Sequence, residues 1–253
     1  MDIRVLGSSG SRVPGQQTSC LLVNERFAID AGGVTGTLTV EEQVQIDHVF
    51  LTHAHLDHVF DLAFLADNVM TLRNSTLRIW APEPVLEVLQ AHLFNDQIWP
   101  DMSKLQVKGF PVLTFCPLAA GETVRIEDIE VTWATTSHTV FSAGYLLTQE
   151  NVSVLFTGDT CSTEAIWEMA NRCSGLAAVF VETSFPDSLT GLARETGHLS
   201  PFLLQQELQK LDKPELPVKI FHMKSQYLEE IRRDLKQCCP QCEILNGNEQ
   251  LRF

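Results

Sequence analysis

A chain of 253 residues with 44% hydrophobic and 20% charged side chains has room for one large core or two small ones, and the balance of a globular enzyme. Its 32 acidic side chains against 18 basic ones leave a formal charge of −14 without any cluster of lysine and arginine, so a large nucleic acid is excluded as the expected partner. No apolar run approaches the ~18 residues a bilayer span needs, which excludes a membrane helix.

The opening Met1-Asp2-Ile3-Arg4-Val5-Leu6-Gly7 lacks the basic start and long apolar core of a signal peptide. It reads as a mature first strand over residues 3–6, closed by the breaker Gly7-Ser8-Ser9-Gly10. Further strands are expected at 19–23, 27–30 and 48–52, with Ala31-Gly32-Gly33 as a second breaker. The run 59–65 suits a buried helix, and Pro82 and Pro84 open another that carries Val85, Leu86, Val88 and Leu89. Strands resume at 129–135, 144–147 and 152–156. A helix follows Gly158-Asp159-Thr160 through Met169, then a strand at 177–181. Ser200 before Pro201 is a strong helix start, with Leu204, Leu208 and Leu211 at helical spacing behind it. The strand 218–221 ends at His222. Ser225 is expected to cap a last helix whose Leu228, Ile231 and Leu235 share a face. No repeat, low-complexity run or linker divides the chain, so one domain over 1–253 is expected. Strands then helices, twice, fit two packed sheets with helices outside.

The chemistry concentrates in Leu51-Thr52-His53-Ala54-His55-Leu56-Asp57-His58, which holds three of the eight histidines and a carboxylate within six residues. His53 and His55, one residue apart at a strand end, point to the same side of a sheet. Asp57 and His58 follow in the turn, where they can face a second centre. Imidazole and carboxylate are the donors that Zn, Mn and Fe accept in open hydrolytic sites. His138, Asp159 and His222 each lie just past another apolar run, and side chains so placed converge along one rim of a sheet. The seven cysteines are an odd number without a spaced framework, which favours reduced thiols and a cytoplasmic setting. Cys238, Cys239 and Cys242 offer a weak three-thiol metal signal or are structural.

These motifs together resemble the metallo-β-lactamase superfamily, over about residues 7–222. The resemblance implies an α/β fold, an αββα four-layer sandwich of two mixed β-sheets with helices outside, and two divalent metal ions on one edge. Zinc is the first expectation, manganese or iron the alternatives. By that match His53, His55 and His138 hold the first metal, Asp57, His58 and His222 the second, and Asp159 bridges them. A narrower resemblance, to class II cyclic-nucleotide phosphodiesterases, rests on the first motif, on residues 94–100, on Val181-Glu182-Thr183-Ser184-Phe185-Pro186, on Gly197-His198-Leu199-Ser200-Pro201 and on His222-Met223-Lys224. The chain departs from that pattern at Asp61, where glycine is expected, and at Ser225, where proline is common. Asp61 is expected either to orient a ligand imidazole or to alter substrate access.

The narrower resemblance implies hydrolysis of a small 3′,5′-cyclic nucleotide, cAMP first, to a 5′-nucleotide by a hydroxide held between two metals ~3.5–4 Å apart. His198 is the candidate general acid, Glu182 the carboxylate that orients it as in the related tRNase Z family, and Asp57 joins them among the catalytic residues. Asn95, Asp96 and Trp99 are candidates for reading a base from a loop above the site; Phe94 and Trp99 are equally candidates for core or dimer contacts. Lys224 either meets a phosphate or is a solvated lysine. A homodimer stays open. The alternatives are a tRNase Z-like nuclease or thioesterase on the same scaffold, and, in another class, a metal-binding scaffold without turnover.

Overall fold

Strict alternation in the short strands decides the layers. In the computed structural model, which describes all 253 residues, Leu21, Val23, Phe27, Ile29 and Phe50 point one way, while Leu22, Ala28 and Val49 point the other. The first half of the chain contributes β1 (Asp2–Gly7), β2 (Cys20–Val23), β3 (Phe27–Ile29), β4 (His48–Phe50) and β5 (Leu77–Ala81). A small hairpin of β6 (Gln106–Val107) and β7 (Phe110–Pro111) then leads into β8 (Leu113–Pro117). The second half contributes β9 (Val124–Ile126), β10 (Ile129–Thr135), β11 (Ala143–Gln149), β12 (Val152–Phe156), β13 (Leu176–Glu182), β14 (Val218–Phe221) and β15 (Glu243–Ile244), and ends in β16 (Gln250–Arg252).

Two seven-stranded sheets result, in the orders β16-β1-β2-β3-β4-β5-β8 and β15-β14-β13-β12-β11-β10-β9. Each is antiparallel through three pairings and parallel through the other three, the parallel part starting at β3 in one sheet and at β12 in the other. Between the sheets Phe27, Phe50 and Val23 meet Tyr145, Phe156, Phe180 and Phe221. The outer face of the first sheet is covered by α1 (Val34–Thr37), α2 (Val40–Gln43), α3 (Leu56–Val59), α4 (Leu62–Val69) and α5 (Glu83–His92). The outer face of the second is covered by α6 (Ala165–Arg172), α7 (Thr190–Glu195), α8 (Pro201–Leu208) and α9 (Leu228–Cys238). Three separate apolar layers mean four layers of secondary structure, the αββα sandwich. No helix is long and apolar enough to cross a membrane.

Several local expectations are corrected. The apolar run after His58 forms two helices, α3 and α4, broken at Phe60 and Asp61, rather than one over 59–65. Strands β5, β8, β9, β15 and β16 and the β6–β7 hairpin lie outside the strands expected from the sequence; β5 and β8 extend the first sheet on its parallel side. Ser200 does cap α8, accepting from the Leu203 amide. Ser225 caps nothing: residues Ser225–Tyr227 form a 3₁₀ turn ahead of α9, and the Ser225 hydroxyl bonds Gln16 Oε1 at 2.5 Å. All seven cysteines are free. Cys238, Cys239 and Cys242 pack on the outer face of the second sheet, and they are not among the side-chain groups close enough to hold an ion. Burial pushes the Cys238 thiol up to about 12, the wrong direction for a thiolate ligand.

Candidate metal centre

Seven side chains from four distant stretches of chain meet at one rim, where β4, β10, β12 and β14 end. His53 and His55 lie in the loop after β4, and Asp57 and His58 in the first turn of α3. His138 follows β10, Asp159 follows β12 after Gly158, and His222 follows β14 directly. Gly158 has φ +62°, and a Cβ there would come within 2.9 Å of Thr52, so the turn that delivers Asp159 requires glycine. His222 itself sits at φ +63° and Asp30 at φ +58°, a backbone region rarely occupied without glycine and common at functional sites.

Asp159 is the hub. Its Oδ2 lies 3.8 Å from His53 Nε2, 3.3 Å from His58 Nε2, 4.0 Å from His138 Nε2 and 3.3 Å from His222 Nε2. His138 Nε2 is 3.1 Å from His55 Nδ1, and His222 Nε2 is 3.2 Å from Asp57 Oδ2. The donor atoms of His53, His55 and His138 lie within 4.8 Å of one another, as do those of Asp57, His58 and His222. These two groups of donors therefore adjoin in space, and Asp159 Oδ2 lies within 4.0 Å of imidazole nitrogens in both.

The ring orientations have a physical cause. His58 Nδ1 is 2.7 Å from Asp30 Oδ2, His53 Nδ1 3.0 Å from Thr52 Oγ1, His138 Nδ1 2.8 Å from the Gly197 carbonyl and His222 Nδ1 2.8 Å from Ser184 Oγ. A donor N–H fixed on the outer nitrogen leaves the Nε2 lone pair aimed inward, the arrangement metal-ligating histidines use. His55 is the exception, partly buried and presenting Nδ1.

The donors fit cations. His53 Nε2 and Asp159 Oδ1 are buried with no hydrogen-bond partner, a costly condition that a bound cation relieves at both atoms. Charge is strongly redistributed here. Burial works against a charge on His58, but Asp159 and Asp30 outweigh it, so this imidazole is held well above its ordinary value. Burial and the neighbouring His58 push His53 well below. Burial raises the Asp57 carboxyl, yet its bond to His222 and the nearby His58 bring it down overall.

Outside the seven donors lies a second pair. Glu182, fully buried at the end of β13, accepts from His198 Nδ1 at 2.8 Å, from the Thr160 amide at 3.2 Å and from Ser184 Oγ at 2.9 Å. Burial lowers the His198 value, but Glu182 more than reverses this, and the net direction is upward. His198 Nδ1 is 3.8 Å from Asp159 Oδ2, so the pair adjoins the cluster.

Other expected residues lie elsewhere. Asp61 orients no imidazole; its Oδ2 accepts from the Thr35 and Gly36 amides. The residue that does orient one is Asp30, missed in the sequence although its place at a strand end before Ala31-Gly32-Gly33 was a usable signal. Phe94 is a core residue at 1% exposure; Asn95 accepts from the amides of Gln97 and Ile98, and Asp96 from that of Asp101. Trp99 packs edge-on against Phe64 at 5.2 Å. Lys224 Nζ donates to the Gly10 carbonyl at 3.4 Å and lies over the Phe185 ring at 5.3 Å, so it is not free in solvent.

Residues 29–221 match a family model described as the beta-lactamase superfamily domain. Among characterised proteins the chain is similar to 3′,5′-cyclic-nucleotide phosphodiesterase 1 of Saccharomyces cerevisiae, 26% identical over 66% of this chain and 51% of the yeast protein. It is also similar to a probable 3′,5′-cyclic-nucleotide phosphodiesterase of Yersinia pestis (24% over 87% and 69%) and to ribonuclease Z of Methanopyrus kandleri (30% over 56% and 48%). The match thus spans about half the length of the yeast and Methanopyrus proteins. Among solved structures, unliganded yeast PDE1 superposes with a TM-score of 0.81 at 21% identity over 99% of both chains. The short form of human tRNase Z gives 0.73 at 17% identity over 100% of this chain and 99% of that one.

Proposed function

This chain belongs to the metallo-β-lactamase superfamily, and from that footing we propose that it is a metal-dependent phosphodiesterase hydrolysing 3′,5′-cyclic nucleotides, cAMP first, to 5′-nucleotides. The reading takes residues 1–253 as one hydrolase domain acting on a small substrate in the cytoplasm, with a homodimer permitted. His53, His55 and His138 would hold one divalent cation and Asp57, His58 and His222 a second, with Asp159 available to both. Zinc suits this set, and manganese or iron also accept it. When bound, the cations act as Lewis acids on the phosphoryl oxygens and lower the pKa of a bound water from ~15.7 toward ~7.

Opening the cyclic ester consumes one water, breaks the P–O3′ bond and requires a proton at the departing oxygen. His198 supplies that proton. Glu182 fixes its Nδ1–H, and the same carboxylate favours the protonated ring that a general acid must be. Asp57, whose side chain is 32% exposed against 2% for Asp159, is the carboxylate open to the substrate side and orients the entering water.

The observation that carries the reading is the 2.8 Å contact between Glu182 and His198 beside Asp159. An alkoxide leaving group needs such an acid, whereas a thiolate departs without one. A ribonuclease Z-type activity is the second reading, favoured by the Methanopyrus relative and opposed by the charge of −14. The test is hydrolysis of cAMP, cGMP, a linear dinucleotide, pre-tRNA and a thioester after loading with each metal in turn. Cyclic nucleotides should be turned over fastest, with the 5′-nucleotide as product. A preference for the thioester would overturn the phosphodiesterase reading, and one for pre-tRNA would favour the second.

A further inference from the structure

One charged pair near the metal centre has no part in the mechanism above. Asp61, at 1% exposure, is anchored by two backbone amides through Oδ2, while its Oδ1 is buried without a hydrogen bond and faces Arg12 Nη1 at 3.5 Å. The Arg12 guanidinium also lies 4.3 Å from the centroid of the Phe60 ring and 3.5 Å from the Gly32 carbonyl. A buried carboxylate is costly unless it holds a cation in place. Both contacts to Arg12 are long, however, and its side chain stays 42% exposed, so the cation is positioned without being neutralised by hydrogen bonds.

The surroundings of this cation tie it to the second donor cluster. Phe60 follows the ligand candidate His58 by two residues. A Cβ on Gly32 would come within 2.1 Å of the Asp57 carbonyl, and one on Gly10 within 3.0 Å of His222 Nδ1. The loop carrying Arg12 is thus seated on the His222 backbone, and Arg12 reaches across to the Gly32 turn that packs on the Asp57 carbonyl. Gly10 on the same loop accepts from Lys224. Two cations, Arg12 and Lys224, therefore sit on or against the loop that packs on His222, in a protein whose net charge is −14, and neither is closed off by a short ion pair.

We propose that Arg12 is a substrate-binding residue that contacts the anionic phosphate of the phosphodiester from the side of Asp57 and His222, and that Asp61 is the positioning residue that holds it there. The proposal rests on the phosphodiesterase reading. Arginine is the side chain suited to this task, since it stays charged at any working pH and offers several N–H groups to phosphate oxygens. The Phe60 ring, its centroid 4.3 Å from the guanidinium carbon, makes a cation–aromatic contact that limits the freedom lost on binding.

The test compares wild type, Arg12→Ala, Arg12→Lys and Asp61→Asn, all metal-loaded, on cAMP and on bis-nitrophenyl phosphate, with equilibrium binding of 5′-AMP and of adenosine as the second readout. Arg12→Ala should raise KM about tenfold with kcat within twofold, and weaken 5′-AMP by a similar factor while leaving adenosine unchanged. Arg12→Lys should recover part of the loss, and Asp61→Asn should raise KM about threefold with metal content unaltered. Unchanged KM and 5′-AMP affinity in Arg12→Ala overturn the proposal, as does an equal loss for adenosine, which would mark a stacking role. A wild type that cleaves only bis-nitrophenyl phosphate sinks the cyclic-nucleotide reading instead, and leaves the Arg12 comparison measurable on that anionic ester.

Discussion

Each sheet supplies one buried carboxylate that fixes imidazoles through their Nδ1, and the two are used differently. In the first sheet Asp30 accepts directly from His58 Nδ1 and, through the Thr52 hydroxyl, supports His53. In the second, Glu182 accepts directly from His198 Nδ1 and, through the Ser184 hydroxyl, supports His222. Both carboxylates are fully buried. On the Asp30 side both supported imidazoles are metal-donor candidates. On the Glu182 side one is a donor and the other, His198, remains outside the seven. One device, a carboxylate fixing imidazole tautomers, thus recurs in both sheets; on the proposed function it serves ion binding in one and both ion binding and proton delivery in the other.

The largest effects should come from breaking this pairing at its direct bonds. Asp30→Asn removes the charge behind His58 and the acceptor behind Thr52, so metal affinity should fall on the order of 10–100-fold, the usual cost of losing such an outer partner. Metal analysis after dialysis measures it, and full retention of metal would contradict the role given to Asp30. His198→Ala should leave metal content intact and lower turnover of the natural ester by about 10²–10⁴-fold, the typical contribution of a general acid. Activity should partly return on a nitrophenyl ester, whose leaving group needs no proton. Equal losses on both esters would remove His198 from the proton-transfer step.

Smaller effects should follow from pressing on a single histidine of each cluster. Gly197 has φ +71°, and a Cβ there would come within 2.8 Å of His138 Nδ1. Gly197→Ala should therefore displace one donor of the first cluster and lower its occupancy several-fold. Gly10→Ala brings a Cβ within 2.4 Å of the His222 carbonyl and should act on the second. If either variant lost both ions equally, the two clusters would behave as one unit.

The two sheets also differ in how much of them the sequence disclosed. His53, His55, Asp57 and His58 were legible because one loop packs them together. His138, Asp159 and His222 are single residues past separate strands, and only their match to a family pattern made them a set. The strands at 129–135, 152–156 and 218–221 end where expected, because their β-branched and aromatic runs stop there, at Thr136-Ser137, Thr157-Gly158 and His222. β5 and β8 escaped because Leu77–Ala81 mixes charge with apolar residues on an exposed–buried alternation and Leu113–Pro117 contains cysteine and proline. Asp30 escaped for a different reason: its value lies in a contact with His58, 28 residues away, that exists only after β3 and β4 pair in parallel. At 94–100 the sequence left Phe94 and Trp99 open between base reading and core packing, because exposure cannot be read from residue type; both pack on the core of the first sheet.

His48 provides the control for what a carboxylate does to an imidazole in this fold. It is buried at 5% exposure on β4, stacked on Phe27 at 4.9 Å, with Nδ1 accepting from Trp80 Nε1 at 3.0 Å. Burial brings it down to about 4; the nearby Asp47 opposes this, while Arg78, Arg26 and Arg73 reinforce it. A histidine held below its unfolded value of ~6.5 is neutral in the folded chain while the unfolded chain binds a proton, so its contribution to stability is complete above ~6.5 and is lost as pH falls from there toward 4. His48→Gln keeps an acceptor for Trp80 and removes that proton. Urea unfolding at pH 7 and pH 4.5 should therefore show a smaller acid loss in the variant than in wild type, by an amount on the order of 2 kcal/mol. His58 and His198, each against a carboxylate, shift the opposite way, because Asp159 with Asp30 in one case and Glu182 in the other outweigh burial. An identical acid loss in His48→Gln and wild type would mean that burial alone does not lower an imidazole in this core, and the contrast with the carboxylate-held pair would lose its reference.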